Sequence, residues 1–175
     1  MGKMLIQLLI GTQNTVSIFC WTLVFSIPLG VLVSVGRMSK HSLIWRPLHV
    51  YILIMRGTPL ILQILFVYFA LPRILPGGMR IDRYWAAVIA CVINYAAYFA
   101  EIFRGGIQSM PVGQYEAAQM LGFTRMQTFF RIILPQVVKH VLLPVSNEVI
   151  TLIKDTALVS TIGLYDLYSL ASKEV

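Results

Sequence analysis

Charge is what this chain has least of. Among 175 residues there are 14 Lys and Arg against 7 Asp and Glu, so only 12% are charged, while 58% are apolar and mean hydropathy is +0.78. A soluble domain carries about a quarter of its residues as charges, and a chain this short cannot hide such an apolar excess in a larger core. Part of its solvent is therefore lipid. Cysteine is scarce as well: Cys20 and Cys91 are the only two and both sit in apolar runs, which excludes a disulfide scaffold. The composition excludes intrinsic disorder. No block of five basic residues occurs, so the net charge of +7 marks no nucleic-acid patch. Motifs for chemistry are missing too. No G-x4-G-K-[ST], G-x-S-x-G or H-E-x-x-H is present, and His41, His49 and His140 lack metal-ligand spacing. We expect no catalytic residue, no metal site and no cofactor held by this chain.

What is present is long apolar stretches. From Met4 to Gly36 there is no charge, more than the ~20 residues a span needs. Lys3 ahead of an apolar run has the look of a signal peptide. However, Leu5–Ile10 is short for its core and Gly11, Thr12, Gln13 and Asn14 make no small-x-small cleavage site, so an uncleaved first span is expected. A second span, Leu48 to Leu71, is interrupted by Arg56-Gly57-Thr58-Pro59 and is expected to bend or restart near Pro59. Pro72, Pro76, Gly77 and Gly78 then mark a loop. A third span runs from Tyr84 to Phe103, and a fourth from His140 to Leu164 with Asn147, Glu148, Lys154 and Asp155 inside it. Arg37, Lys40, Arg46, Arg104, Arg125, Arg131 and Lys139 fall on one side, against Lys3, Arg73, Arg80 and Arg83 on the other. The positive-inside bias places the N-terminus outside and residues 104–139 in the cytoplasm. Gly30 and Gly36 permit close helix approach, and Trp45, Tyr84 and Trp85 fit interfacial belts.

The segment from Gly113 to Pro135 reads as two short helices. The first, Gln114 to Leu121, has Glu116 in its opening turn, where a carboxylate favours the helix dipole, and Gly122 ends it in the left-handed conformation. Thr124, with Gln127 three residues on, starts the second as a capping box. Met120, Leu121 and Phe123 around the corner make an apolar knuckle, either a docking element for a partner's groove or a plain connector on the membrane surface.

These residues resemble a family. Glu116-Ala117-Ala118, Gly122, Ile132, Leu134 and Pro135 match the EAA loop of ABC importer permeases with its spacing intact. Arg56-Gly57-Thr58-Pro59-Leu60 with Gln63, Tyr98 to Gly105, Ser109 to Gln114, Asn147-Glu148 and Leu152 to Thr156 are similar to the polar amino-acid (histidine/glutamine/arginine) subfamily. The resemblance implies an all-α polytopic transmembrane bundle, type I ABC importer permease-like, as a single domain over 1–175 with a coupling segment at 104–139. It implies a subunit of the bacterial cytoplasmic membrane that translocates a polar amino acid and is not itself an enzyme. ATP and Mg would be bound by a cytoplasmic ABC ATPase dimer, beside a second permease subunit, identical or sister, and an extracytoplasmic substrate-binding protein. The ATPase contact would fall on Glu116, Ala117, Ala118, Met120, Leu121, Gly122 and Phe123. Members usually end in a fifth span, whereas this chain stops at Lys173-Glu174-Val175 with four, as a fragment or a truncation. A permease for another solute class, a truncated non-transporting partner subunit, and a channel or ion-coupled carrier stay open, although a carrier commonly shows an internal repeat and none is found.

Polar residues inside spans are candidates for a substrate path. Asn94, Tyr98 and Glu101 share one face of the third span, and Glu148, Thr151 and Asp155 one face of the fourth, with Asn147 and Lys154 beside them. These acidic stripes suit a substrate bearing a cationic group. Each has a plainer reading: Glu101 paired with Arg104, Glu148, Lys154 and Asp155 in interhelical ion pairs, Asn94 bonded to a neighbouring helix, and Arg56 facing carbonyls or lipid phosphate rather than substrate.

Overall fold

The computed structural model describes residues 2–74 and 81–163, and every described element is a helix. Helix α1, Gly2–Arg37, is followed by α2, Ser42–Gly57, and by α3, Leu60–Ile74, set at 109° to α2 across the Pro59 break. Helix α4 is Arg83–Gln108 and α5 is Val112–Met120. The last helix, α6, runs continuously over Arg125–Ile162, ending in a tighter 3-10 stretch, Thr156–Ile162. Helices α1, α4 and α6 are each long and apolar enough to cross a membrane, and the bent α2–α3 pair is long and apolar enough together, as a broken fourth span or a re-entrant loop. Pro76, Gly77, Gly78, Arg80 and the end at Lys173-Glu174-Val175 lie outside the described residues.

Helix α4 is the centre of the bundle, packed by α1, α2, α3 and α6. It is rich in alanine where it is buried, with Ala86, Ala87, Ala90, Ala96, Ala97 and Ala100 all inaccessible. Without a hydrophobic drive between helices in lipid, small residues that bring backbones together are the main source of packing energy. Gly30 of α1 completes that contact: a Cβ there would sit 2.8 Å from the Phe99 Cβ and 3.2 Å from the Ala96 carbonyl. Gly36 lies as closely against Leu48 of α2. Both glycines behave as expected. Large apolar side chains such as Leu32, Leu53, Leu142 and Leu143 are left on the outside, where lipid is the favourable solvent.

Two prolines act differently from expectation. Pro72 does not begin a loop, because α3 continues through it to Ile74. Nor is the second EAA helix separate from the fourth span, since α6 passes Pro135 without a break. In both places a five-residue π turn, Phe66–Ala70 or Phe129–Ile133, ends one residue before a Leu-Pro pair. Leu71 N–H then bonds Phe66 O and Leu134 N–H bonds Phe129 O. The widened turn accommodates a proline ring that would otherwise strike the carbonyl four residues back and that lacks an amide hydrogen.

At the end of the bundle where α4 starts, Arg83 donates to the Tyr68 hydroxyl (3.1 Å) of α3 and to the Gly163 carbonyl (3.4 Å) beyond α6. Asp82 caps α4 by accepting from the Tyr84 amide. The opposite end of α4 is joined to α6 by Met110, Ile133, Val137 and Val141.

Candidate substrate cavity and coupling corner

The polar cavity forms where the α2–α3 break meets α4 and α6. It has a volume of ≈ 520 Å³, and its walls are Arg56 to Leu60 from the break, Asn94, Tyr95 and Tyr98 from α4, and Glu148, Thr151, Asp155 and Leu158 from α6. A proline break leaves backbone polar groups free, and at membrane depth such backbone persists only against protein or a watery cavity. Helix α2 ends here at Gly57, so the negative end of its dipole adds to the field of two carboxylates.

Within the cavity wall, Tyr95 donates from its hydroxyl to Asp155 Oδ2 at 2.7 Å. Tyr95 is itself buried, so this bond holds the Asp155 carboxylate from the protein side. The Arg56 guanidinium lies over the Tyr98 ring, 5.3 Å from its centroid. Asn94, also buried, donates to the Met55 carbonyl (3.1 Å) and to Gln63 Oε1 (3.0 Å). Thr151 bonds back to the Asn147 carbonyl.

Five of the seven expected pathway residues, Asn94, Tyr98, Glu148, Thr151 and Asp155, therefore line one cavity. Glu101 and Asn147 are not part of its wall. Glu101 is gripped by Arg104 through two bonds, 3.0 and 2.5 Å long, which is the plainer of the two expectations for it. Asn147 is exposed on the outer side of α6. Among the described residues, Glu148, Lys154 and Asp155 form no ion pair. Arg56 stands in the wall rather than apart from it. Residue spacing gave no sign of Tyr95, and Arg56, weighed in the sequence as facing carbonyls or lipid phosphate, was not placed with the pathway residues. The adjacency of Arg56 to Pro59 was the available signal, but its placement depends on the bend angle, which spacing does not encode.

The corner between α5 and α6 is built as a double cap. After α5, Gly122 adopts φ +77°. Its amide bonds Gln119 O, and the Phe123 amide bonds Ala118 O, both at 3.0 Å, the paired bonds of a Schellman termination. Next, Thr124 N–H bonds Gln127 Oε1 (2.9 Å) while Gln127 N–H bonds Thr124 Oγ1 (3.3 Å), the capping box expected. Met120 is 91% exposed and Leu121 75%, while Phe123 is half-buried. Ala117 lies beside a shallow groove that α5 forms with Ile132, and Ala118 beneath it is buried. Gln136 of α6 donates to Gln114 Oε1 of α5 at 2.9 Å. One detail differs from expectation: α5 begins at Val112, so Glu116 is exposed past the opening turn and does not serve the helix start.

Comparison with known proteins agrees with this architecture. Residues 26–174 match the family described as binding-protein-dependent transport system inner membrane component. The octopine transport system permease protein OccM of Rhizobium radiobacter is 41% identical over 162 residues, covering 86% of this chain and 65% of the relative. The arginine transport system permease protein ArtQ of Bacillus subtilis (strain 168) is 40% identical, covering 90% of this chain and 71% of the relative. The chain thus spans about two thirds of the length of these curated relatives. A crystal structure of an amino acid ABC transporter with histidines superposes with a TM-score of 0.89 at 35% identity, over 99% of this chain and 79% of that one. A multi-pass all-helical bundle, an intact EAA corner and these likenesses together establish that the chain belongs to the family of binding-protein-dependent transport system inner membrane components, among the ABC permeases.

Proposed function

We propose that the chain is a permease subunit of an ATP-binding-cassette importer that carries a polar amino acid with a cationic side group across the bacterial cytoplasmic membrane. The observation that carries this reading is the wall of the cavity at the helix break: two carboxylates, Glu148 and Asp155, face one guanidinium, Arg56. An amino acid has one carboxylate and one ammonium, and a cationic side chain adds a second positive group. Arg56 and Thr151 match the first. Glu148, Asp155 and the carbonyl end of α2 match the two cations. The two relatives above are named for octopine transport and arginine transport, which supports the same substrate class here.

Import of this kind is driven from outside the chain. A cytoplasmic ABC ATPase dimer that binds ATP and Mg seats against Met120, Leu121 and Phe123, with Glu116, Ala117, Ala118 and Gly122 shaping the corner. A second permease subunit, identical or sister, completes the path, and an extracytoplasmic binding protein delivers substrate. The N-terminus lies outside and residues 104–139 face the cytoplasm. Because α6 runs unbroken from the capping box to the cavity, movement of the corner reaches Glu148 and Asp155 as a rigid-body displacement.

The test is uptake into proteoliposomes holding the full transporter and its binding protein, with arginine, glutamine and a neutral apolar amino acid as cargo. ATP-dependent uptake favouring arginine supports the assignment. Uptake of another solute class alone, or none, overturns it.

A further inference from the structure

Pro59 deprives the Met55 carbonyl of its backbone donor. In an unbroken helix the Met55 oxygen accepts from the amide of residue 59, and Pro59 has no N–H. Two side-chain amides from different helices converge on that oxygen instead. Gln63 Nε2, one turn into α3, donates to it at 3.0 Å, and Asn94 Nδ2 of α4 donates at 3.1 Å. The two amides are bonded to each other, Asn94 Nδ2 to Gln63 Oε1, at 3.0 Å. Gln63 Nε2 also reaches Thr58 Oγ1 (2.8 Å) and the Thr58 carbonyl (3.2 Å), while Thr58 itself bonds back to Ile54 O through both its amide and its hydroxyl.

We infer that Gln63 and Asn94 form an amide clamp that sets the angle between α2 and α3, and so positions Arg56 and Thr58 in the cavity wall. Gln63 is a positioning residue: it lines the apolar groove on the other side of the break, with Ile54, Leu62 and Phe66, and does not line the polar cavity. Its influence on substrate passes through the backbone of residues 55–58. Thr58 is also tied back to Ile54 O and Arg56 lies over Tyr98, but the Cβ position of Gly57 meets no atom within 4 Å, so nothing packs against the segment at that point. Losing both side-chain donors leaves this part-buried carbonyl unpaired, which is costly at membrane depth, so loss of the clamp leads the break to rearrange. The consequence for transport rests on the amino-acid permease reading, whereas the clamp's geometry does not.

The experiment uses the assembled transporter in proteoliposomes, in a Cys20→Ala background. Cys91 is fully buried and stays. Gly57→Cys reports on the break through its reaction rate with a charged methanethiosulfonate reagent. Gln63→Met keeps the side-chain length without the amide, and Gln63→Glu keeps the oxygen facing Asn94 while setting a carboxylate against the two carbonyls. The clamp predicts that either variant shifts the labelling rate about fivefold or more with the melting temperature of the complex nearly unchanged. It also predicts that uptake per ATP hydrolysed falls about tenfold in Gln63→Met, the scale of one lost buried hydrogen bond. Combining Gln63→Met with Asn94→Leu leaves the labelling rate within about twofold of the worse single variant, because both act on one oxygen; uptake is compared for the Gln63 variants alone, since Asn94 also lines the cavity. Unchanged labelling in the Gln63 variants, or labelling effects that multiply in the double variant, overturn the clamp. Labelling does not depend on cargo, so failure of the parent transporter to carry an amino acid would count against the permease reading and leave the clamp to be judged on labelling.

Discussion

At the scale of single residues, what decides function is where a few polar groups point. Glu148 is expected to serve the substrate rather than the assembly: Glu148→Gln keeps its shape and hydrogen-bonding reach but removes one of two carboxylates in the cavity wall. Uptake should fall at least about tenfold, the loss of roughly 1.4 kcal/mol of charge interaction or more, with the complex purifying as before; unaltered uptake kinetics would take Glu148 out of the site. Gly122 serves the corner. At φ +77° a β-branched side chain costs roughly 1–2 kcal/mol or more, so Gly122→Val should release the ATPase while Gly122→Asn, which tolerates that conformation, should retain most of it. Equal ATPase recovery from both variants would contradict this. Much of this was readable from spacing alone. The i, i+3, i+4 and i+7 offsets bring Asn94 and Tyr98 together, and Glu148, Thr151 and Asp155. Glu101 shares that face by the same offsets, but it is paired with Arg104 one turn on and lies outside the cavity wall. Tyr95 was hidden for another reason: its partner, Asp155, is on a different helix.

At the scale of elements, the helix ends were legible and the helix continuities were not. Capping chemistry is local, so Gly122 and the Thr124–Gln127 box follow from residue type and spacing. Proline is ambiguous by nature: it stops a helix at Pro59, yet at Pro72 and Pro135 a π turn lets the helix run on. Whether a widened turn is preferred depends on what packs beside it, which single-chain spacing does not contain. Thr124→Ala should lower stability of the corner by about 1 kcal/mol, seen as faster amide exchange over residues 124–128 with the membrane helices unaffected. The close contact of α1 and α4 makes a sharper prediction. Gly30→Val puts branched carbon where the Phe99 Cβ and the Ala96 carbonyl already stand within 2.8 and 3.2 Å. A loss of about 1–3 kcal/mol is expected, measured as a lowered melting temperature in detergent, whereas Gly57→Ala, with open space around it, should change little.

At the scale of the whole molecule, the two ends of the bundle are built differently. Arg83 gathers α3, α4 and the end of α6 at one end, while the opposite end carries an exposed apolar corner on a doubly capped turn. The unbroken α6 connects that corner to the carboxylates of the cavity. Membrane character and span number were legible from the scarcity of charge, and the family from the EAA spacing. The cavity was not, because it exists only where the 109° bend between α2 and α3 meets α4 and α6. The most direct measurement is purification of the tagged chain from its host in mild detergent, with mass spectrometry of what accompanies it. An ABC ATPase recovered with the chain, and lost from Gly122→Val, is the predicted result. The chain recovered without an ATPase, in a preparation where control ABC complexes survive, would contradict the account.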